Sequence, residues 1–177
     1  HYVVEQANAQ NADLIVLLGD YVSESKWERE MRSRPEGTDR TELKVPVETI
    51  AESLKGLKAK YGVYAIIGNH DWYHNEQKIH HLLEDIAGIT VLNNEIVEIE
   101  VNAEKISIWG IEDLYRNRKV PAAPFESLSE KRNVIALTHN PDSLLSAPTG
   151  FSLMFSGHTH GGQLNWPIFG PKAVFND

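Results

Sequence analysis

The sequence predicts an α/β fold, and three observations predict it. Four short runs are apolar throughout, as strands buried on both faces of a sheet are. Between them stand segments whose apolar residues recur at helical spacing. Each of the four runs also passes straight into Asp, Asn or His, usually beside a glycine. Ligands of open α/β sheets bind outside the carboxyl ends of the strands, so these polar groups are expected to converge on one edge.

Taken in order, residues 2–10 read as the end of an amphipathic helix. Asp13-Leu14-Ile15-Val16-Leu17-Leu18 is the first buried strand and ends in Gly19-Asp20. Residues 22–44 are polar and charged without period, which reads as a long loop. Pro46 then opens a helix with Val47, Ile50, Ala51, Leu54 and Leu57 along one side. The second strand, residues 63–67, runs into Gly68-Asn69-His70-Asp71. A helix carrying Ile79, Leu82, Leu83 and Ile86 on one face follows and stops at Gly88. Val97, Ile99 and Val101 alternate with Glu98 and Glu100. With Ile106 and Ile108 beyond the Asn102-Ala103-Glu104 turn, this reads as a hairpin with one wet face. Residues 133–138 form the third strand, ending in His139-Asn140-Pro141. Residues 151–155 form the fourth, ending in Ser156-Gly157-His158-Thr159-His160-Gly161-Gly162.

A chain of 177 residues suits one domain with one sizeable core. Its 17 basic and 25 acidic side chains leave a net charge of −8. That balance argues against a nucleic-acid backbone as the main partner, because affinity there comes from Lys and Arg. It leaves a phosphate substrate open, since metals supply positive charge locally. The absence of cysteine removes disulfides, thiolate metal sites and a Cys nucleophile. No apolar run approaches the roughly 18 residues that span a bilayer. The first residue is His1 rather than Met, so the true start is expected to lie outside this sequence.

The strand-end groups Asp20, Asn69, His70, His139, His158 and His160 combine imidazoles, a carboxylate and an amide oxygen with no sulfur. Such donors suit two divalent ions of the Mn, Fe, Zn, Ni or Co kind. Asp20 has two oxygens with which to bridge a pair of ions. Two ions roughly 3.5–4 Å apart polarise a phosphoryl group and turn a shared water into hydroxide near neutral pH. A leaving alkoxide then needs a proton, and His70 is placed to give it. Asp71 is expected to orient that imidazole.

These blocks carry a family resemblance. Gly19-Asp20, Gly68-Asn69-His70-Asp71, His139 with Asn140-Pro141, and Gly157-His158-Thr159-His160 resemble four of the five signature blocks of the calcineurin-like metallophosphoesterases, in the family's order. The extended forms through Trp72 and Gln163 look most like the bacterial YkuE/YaeI-type phosphodiesterase branch. The resemblance implies one domain over residues 1–177, built as a β-sandwich flanked by helices (four layers, α/β/β/α). It also implies that Asp20 bridges two metals, that Asn69, His139 and His158 hold the second ion, and that His160 serves the first. His70 is then the acid or transition-state stabiliser. The family's first block, Asp-x-His, does not occur upstream of Asp20, and the domain is expected to be truncated at its N-terminus.

The expected function is metal-dependent hydrolysis of a phosphodiester or phosphomonoester by a metal-bound hydroxide. The alternative is a degenerate phosphoesterase fold that serves as a binding scaffold. A small phosphorylated or phospholipid-like substrate is expected, with no nucleic acid, in a bacterial cytoplasm or cell envelope. Trp166, Ile168 and Phe169 read as core, as a subunit contact, or as an apolar lip for a lipid-like substrate at a membrane surface. In residues 26–42 the bases Lys26, Arg29, Arg32, Arg34 and Arg40 are balanced by acids, which reads as a solvated loop. A second reading brings one or two of these arginines over a phosphate. His74, His80 and His81 read as surface residues of a helix.

Overall fold

The computed structural model describes residues 2–22, 45–128, 132–160, 165–166 and 170–171. The expected loop of residues 22–44, with its arginines, lies outside the described residues beyond Val22, as do Ile168 and Phe169. No helix among the described residues is long and apolar enough to cross a membrane.

Two sheets carry the architecture. The first is parallel and joins β1 (Ile15–Leu17), β2 (Val63–Ala65) and β3 (Thr90–Val91) in that order. The second has the order β4 (Glu95–Val101), β5 (Glu104–Ile111), β6 (Val134–Thr138) and β7 (Leu153–Ser156). In it β4 and β5 pair antiparallel, whereas β5, β6 and β7 run parallel. Helix α1 (Tyr2–Ala9) precedes β1, α2 (Val47–Leu54) and α3 (Asn69–Asp85) flank β2, and the short α4 (Leu114–Asn117) and α5 (Ala123–Glu126) stand between β5 and β6. Two two-residue strands, β8 (Asn165–Trp166) and β9 (Gly170–Pro171), pair antiparallel on their own.

Side chains alternate across a strand, so each sheet has two faces to bury. Val63, Ala65 and Leu17 pack with Val47, Ile50, Ala51 and Leu54 of α2 and with Ile79, Leu82 and Leu83 of α3. The alternate residues Val16, Tyr64 and Ile66 meet Val97, Ile99, Ile108, Ile135 and Leu137 of the second sheet. Trp109, Ile111, Val134 and Ala136 face the other way, onto Leu114 of α4 and Phe125 of α5. The layers are therefore helix, sheet, sheet, helix, as the resemblance implies. A Cβ on Gly110 would lie 2.2 Å from Leu92 Cβ, so glycine is what lets Leu92 enter between the sheets.

The hairpin differs from its sequence reading. β4 alternates as expected, but β5 is buried from Ser107 to the end of the strand because it is a central strand, paired with both β4 and β6. Its two-residue loop, Asn102 and Ala103, has both φ angles positive, 52° and 66°. That is the twist-matched geometry of a tight hairpin. Helix α3 breaks at Asn75 (φ −170°, ψ 86°), whose Oδ1 accepts the Lys78 N–H at 3.0 Å and caps the second segment.

Candidate metal centre

The site forms where strand ends of both sheets meet. After β1 the chain turns through Gly19 (φ 88°) and Asp20 (φ 59°), two successive residues in the left-handed region. For Asp20 this conformation costs on the order of 1 kcal/mol. Asp71 offsets it. Its Oδ2 accepts the N–H groups of Asp20 at 2.7 Å and Gly68 at 2.9 Å, and its Oδ1 accepts those of Tyr21 at 2.8 Å and Val22 at 3.1 Å. Asp71 thus does more than the expected orienting of His70. Its carboxylate is wholly buried and holds the β1 and β2 loops together. Gly19 and Gly68 permit the close approach, since a Cβ on Gly68 would lie 2.3 Å from Asp20 Oδ1.

From the second sheet come His139, after β6, and His158, after β7. The Gly157 N–H donates to the His139 carbonyl at 2.9 Å and continues the ladder past the strands. His158 sits at φ 66° inside a Thr159 N–H to Gly157 O bond of 2.8 Å, the rare γ-turn of positive φ. The His139 Nδ1 donates to the Leu18 carbonyl at 2.6 Å, which leaves its Nε2 lone pair facing the site. That Nε2 lies 3.0 Å from Asn69 Oδ1, 3.2 Å from Asp20 Oδ2 and 3.1 Å from His158 Nδ1. Asp20, His139 and His158 offer ligand atoms all within 4.8 Å of one another.

These four residues bring a carboxylate oxygen, an amide oxygen and two ring nitrogens to one point, where either a shared proton or a cation can hold them together. Burial disfavours the charged imidazole, but the hydrogen bond and charge of Asp20 outweigh it, and the His139 pKa stands above its ordinary value. Burial likewise opposes the Asp20 charge, yet His139 and then His70 hold its pKa below the ordinary value. Burial and then the His139 charge lower the His158 pKa, which favours the neutral ring that a metal ligand needs. A divalent cation fits this donor set better than a proton does.

His70 stands beside the four donors, its ring Nε2 4.0 Å from Asp20 Oδ2 and its main-chain N–H donating to Asp20 Oδ1 at 3.1 Å. His160, exposed at φ 50°, lies outside the cluster. Two further features escaped the sequence reading. Strand β5 ends in Glu112-Asp113, and Asp113 is buried with 6% exposure. Tyr115, close by, forms an aromatic group with Trp72 (5.4 Å between ring centroids) and Tyr73 (4.4 Å). The signal for Asp113 was there, since it too is an acid at a strand end.

Comparison with known proteins gives this geometry a context. Residues 2–162 match the family model described as calcineurin-like phosphoesterase. The metallophosphoesterase YkoQ of Bacillus subtilis is 33% identical over 162 residues, 89% of this chain and 53% of that protein. The phosphodiesterase YaeI of Escherichia coli is 31% identical over 172 residues, 95% of this chain and 56% of that protein. YkuE of Bacillus subtilis is 29% identical over 171 residues, 96% of this chain and 54% of that protein. The chain thus spans about half the length of these curated relatives.

Proposed function

The chain belongs to the calcineurin-like phosphoesterases, and from that premise we propose that it is a metal-dependent hydrolase of a small phosphodiester. The observation that carries this reading is the convergence of Asp20, Asn69, His139 and His158 on one point, each with a potential ligand atom facing it. These four residues would hold one divalent ion, and a second would share Asp20 and take His160. Bound there, the metal supplies Lewis acidity for the phosphoryl oxygen and a water of lowered pKa as nucleophile.

The protein's own residues do the rest. Asp71 fixes the loop that presents Asp20, and the Leu18 carbonyl fixes the ring of His139. His70 stands to one side, where its Nε2 gives a proton to the leaving oxygen as the P–O bond breaks. Trp72 and Tyr115, 36% and 42% exposed, offer an apolar wall to the organic part of the ester. An aryl or phospholipid-like group suits that wall, and the net charge of −8 disfavours nucleic acid.

The test uses the intact protein, stripped of metal and reloaded with Mn²⁺, on bis(p-nitrophenyl) phosphate and on an alkyl aryl diester. Mn²⁺-dependent hydrolysis is expected, with His139→Ala lowering kcat/KM by about 100-fold or more. His70→Ala should slow release of an alkoxide far more than release of p-nitrophenolate, which needs no proton. Absence of both metal binding and hydrolysis would favour the scaffold reading instead.

A further inference from the structure

Strands β5, β6 and β7 run parallel in register, with Ile111 opposite Thr138 and Thr138 opposite Ser156. The residues just beyond them, Asp113, His139 and His158, therefore leave the sheet at one edge. Asp113 caps α4 through Oδ1, which accepts the Tyr115 N–H at 2.8 Å. Its other oxygen, Oδ2, is buried without a hydrogen-bond partner. A half-satisfied buried carboxylate costs several kcal/mol unless a positive charge compensates it. Burial opposes its ionised form, so the orphaned oxygen calls for a positive charge at this sheet edge.

Charge balance completes the argument. Asp20 is the one formally charged ligand among the four donors, so a divalent ion there keeps an excess positive charge. A second carboxylate at the same sheet edge neutralises it.

Resting on the metal-dependent reading above, we propose that Asp113 is a positioning residue of the metal centre, a buried counter-charge that strengthens cation binding by His139 and His158 without ligating the metal. The plain rival is that Asp113 only caps α4. Asn and Ser are as good at capping as Asp, so the two roles separate cleanly.

In the intact protein, Mn²⁺ affinity is measured by calorimetry and thermal stability with and without the ion. Asp113→Asn and Asp113→Ser are expected to keep or raise the metal-free Tm and to weaken Mn²⁺ binding by about 10–100-fold. Mn²⁺ should then lift their Tm less than it lifts that of the parent. Wild-type Mn²⁺ affinity in both variants, with a fall of metal-free Tm confined to Asp113→Ala, would reduce Asp113 to a cap and overturn the proposal. Failure of both capping variants to fold would overturn it as well. A parent protein that binds no Mn²⁺ would overturn the metal-dependent reading, and this proposal with it.

Discussion

The β2–α3 corner and the β5–α4 corner are built from the same parts. Each takes a central strand into a buried aspartate and then an aromatic residue on a helix, Asp71 with Trp72 and Tyr73 in one, Asp113 with Tyr115 in the other. They differ in how the carboxylate is used. Asp71 accepts four main-chain N–H groups, two on each oxygen. Asp113 accepts one and keeps an oxygen in reserve. The difference teaches that burial alone does not assign a role to a carboxylate near a metal centre. The inventory of its donors does.

The largest expected effect breaks or keeps this comparison directly. Asp71→Asn places an NH₂ group against backbone donors and leaves buried N–H groups unpaired, at a cost of about 3 kcal/mol or more. For a chain of this size that lowers Tm by about 6–12 °C. Asp113→Asn should change the metal-free Tm by no more than about 3 °C. Equal losses in the two variants would show that the corners are structurally alike after all.

The pH dependence sharpens the comparison. Burial pushes Asp71 from its ordinary 3.8 up to about 7, against the pull of the Gly68 N–H. Asp113 is raised in the same direction by burial, against the Tyr115 N–H. A folded pKa above the unfolded value means stability that is full at low pH and is lost as pH rises through the folded value. His139, also raised, adds a loss on the same side, beginning above its ordinary 6.5. Asp20, lowered, contributes stability that disappears as pH falls below its ordinary 3.8. The metal-free protein should therefore be most stable in mild acid and should lose stability towards pH 8. Saturating Mn²⁺ should reverse that slope, because it displaces the His139 proton. Thermal melts across pH, with chelator or with Mn²⁺, read both signs. Asp113→Asn and Asp71→Asn should each flatten part of the metal-free slope, and Asp71→Asn should lower the whole curve besides.

The smallest effect concerns the aromatic residues that join the corners. Trp72→Ala or Tyr115→Ala should raise KM for an aryl diester by about 3–10-fold, the worth of one aromatic contact, with kcat nearly unchanged. An equal rise for a dimethyl phosphodiester would mean that the rings shape the loops rather than meet the substrate.

Much of this was legible in the sequence, and the reasons for the rest are physical. The four apolar runs are strands, although β7, expected buried, leaves Leu153 and Phe155 exposed, and Pro46 and Gly88 punctuate the helices where expected, because these signals are local. Asp20, Asn69, His70, His139 and His158 converge because parallel strands deliver their carboxyl ends to one edge. The central position of β5 was hidden, since Ser107 and Gly110 interrupt its apolar pattern and its pairing with β6 is a long-range contact. The two-residue β3 carries too little sequence to announce itself. The work of Asp71 could not be read from its neighbour His70 either, because three of its four donors lie about 50 residues earlier in the chain.

The four donors come from both sides of a seam, Asp20 and Asn69 from the first sheet and His139 and His158 from the second. An ion held there rivets two halves that otherwise adhere through the apolar layer around Ile66, Ile108 and Leu137. At a free concentration a hundred times Kd, such a rivet adds about 2.7 kcal/mol to the folded state. If the proposed metal dependence holds, a cell short of the metal would hold less of the protein, since opened chains are what proteases clear. Supply of the ion would thus set the lifetime of the molecule along with its activity.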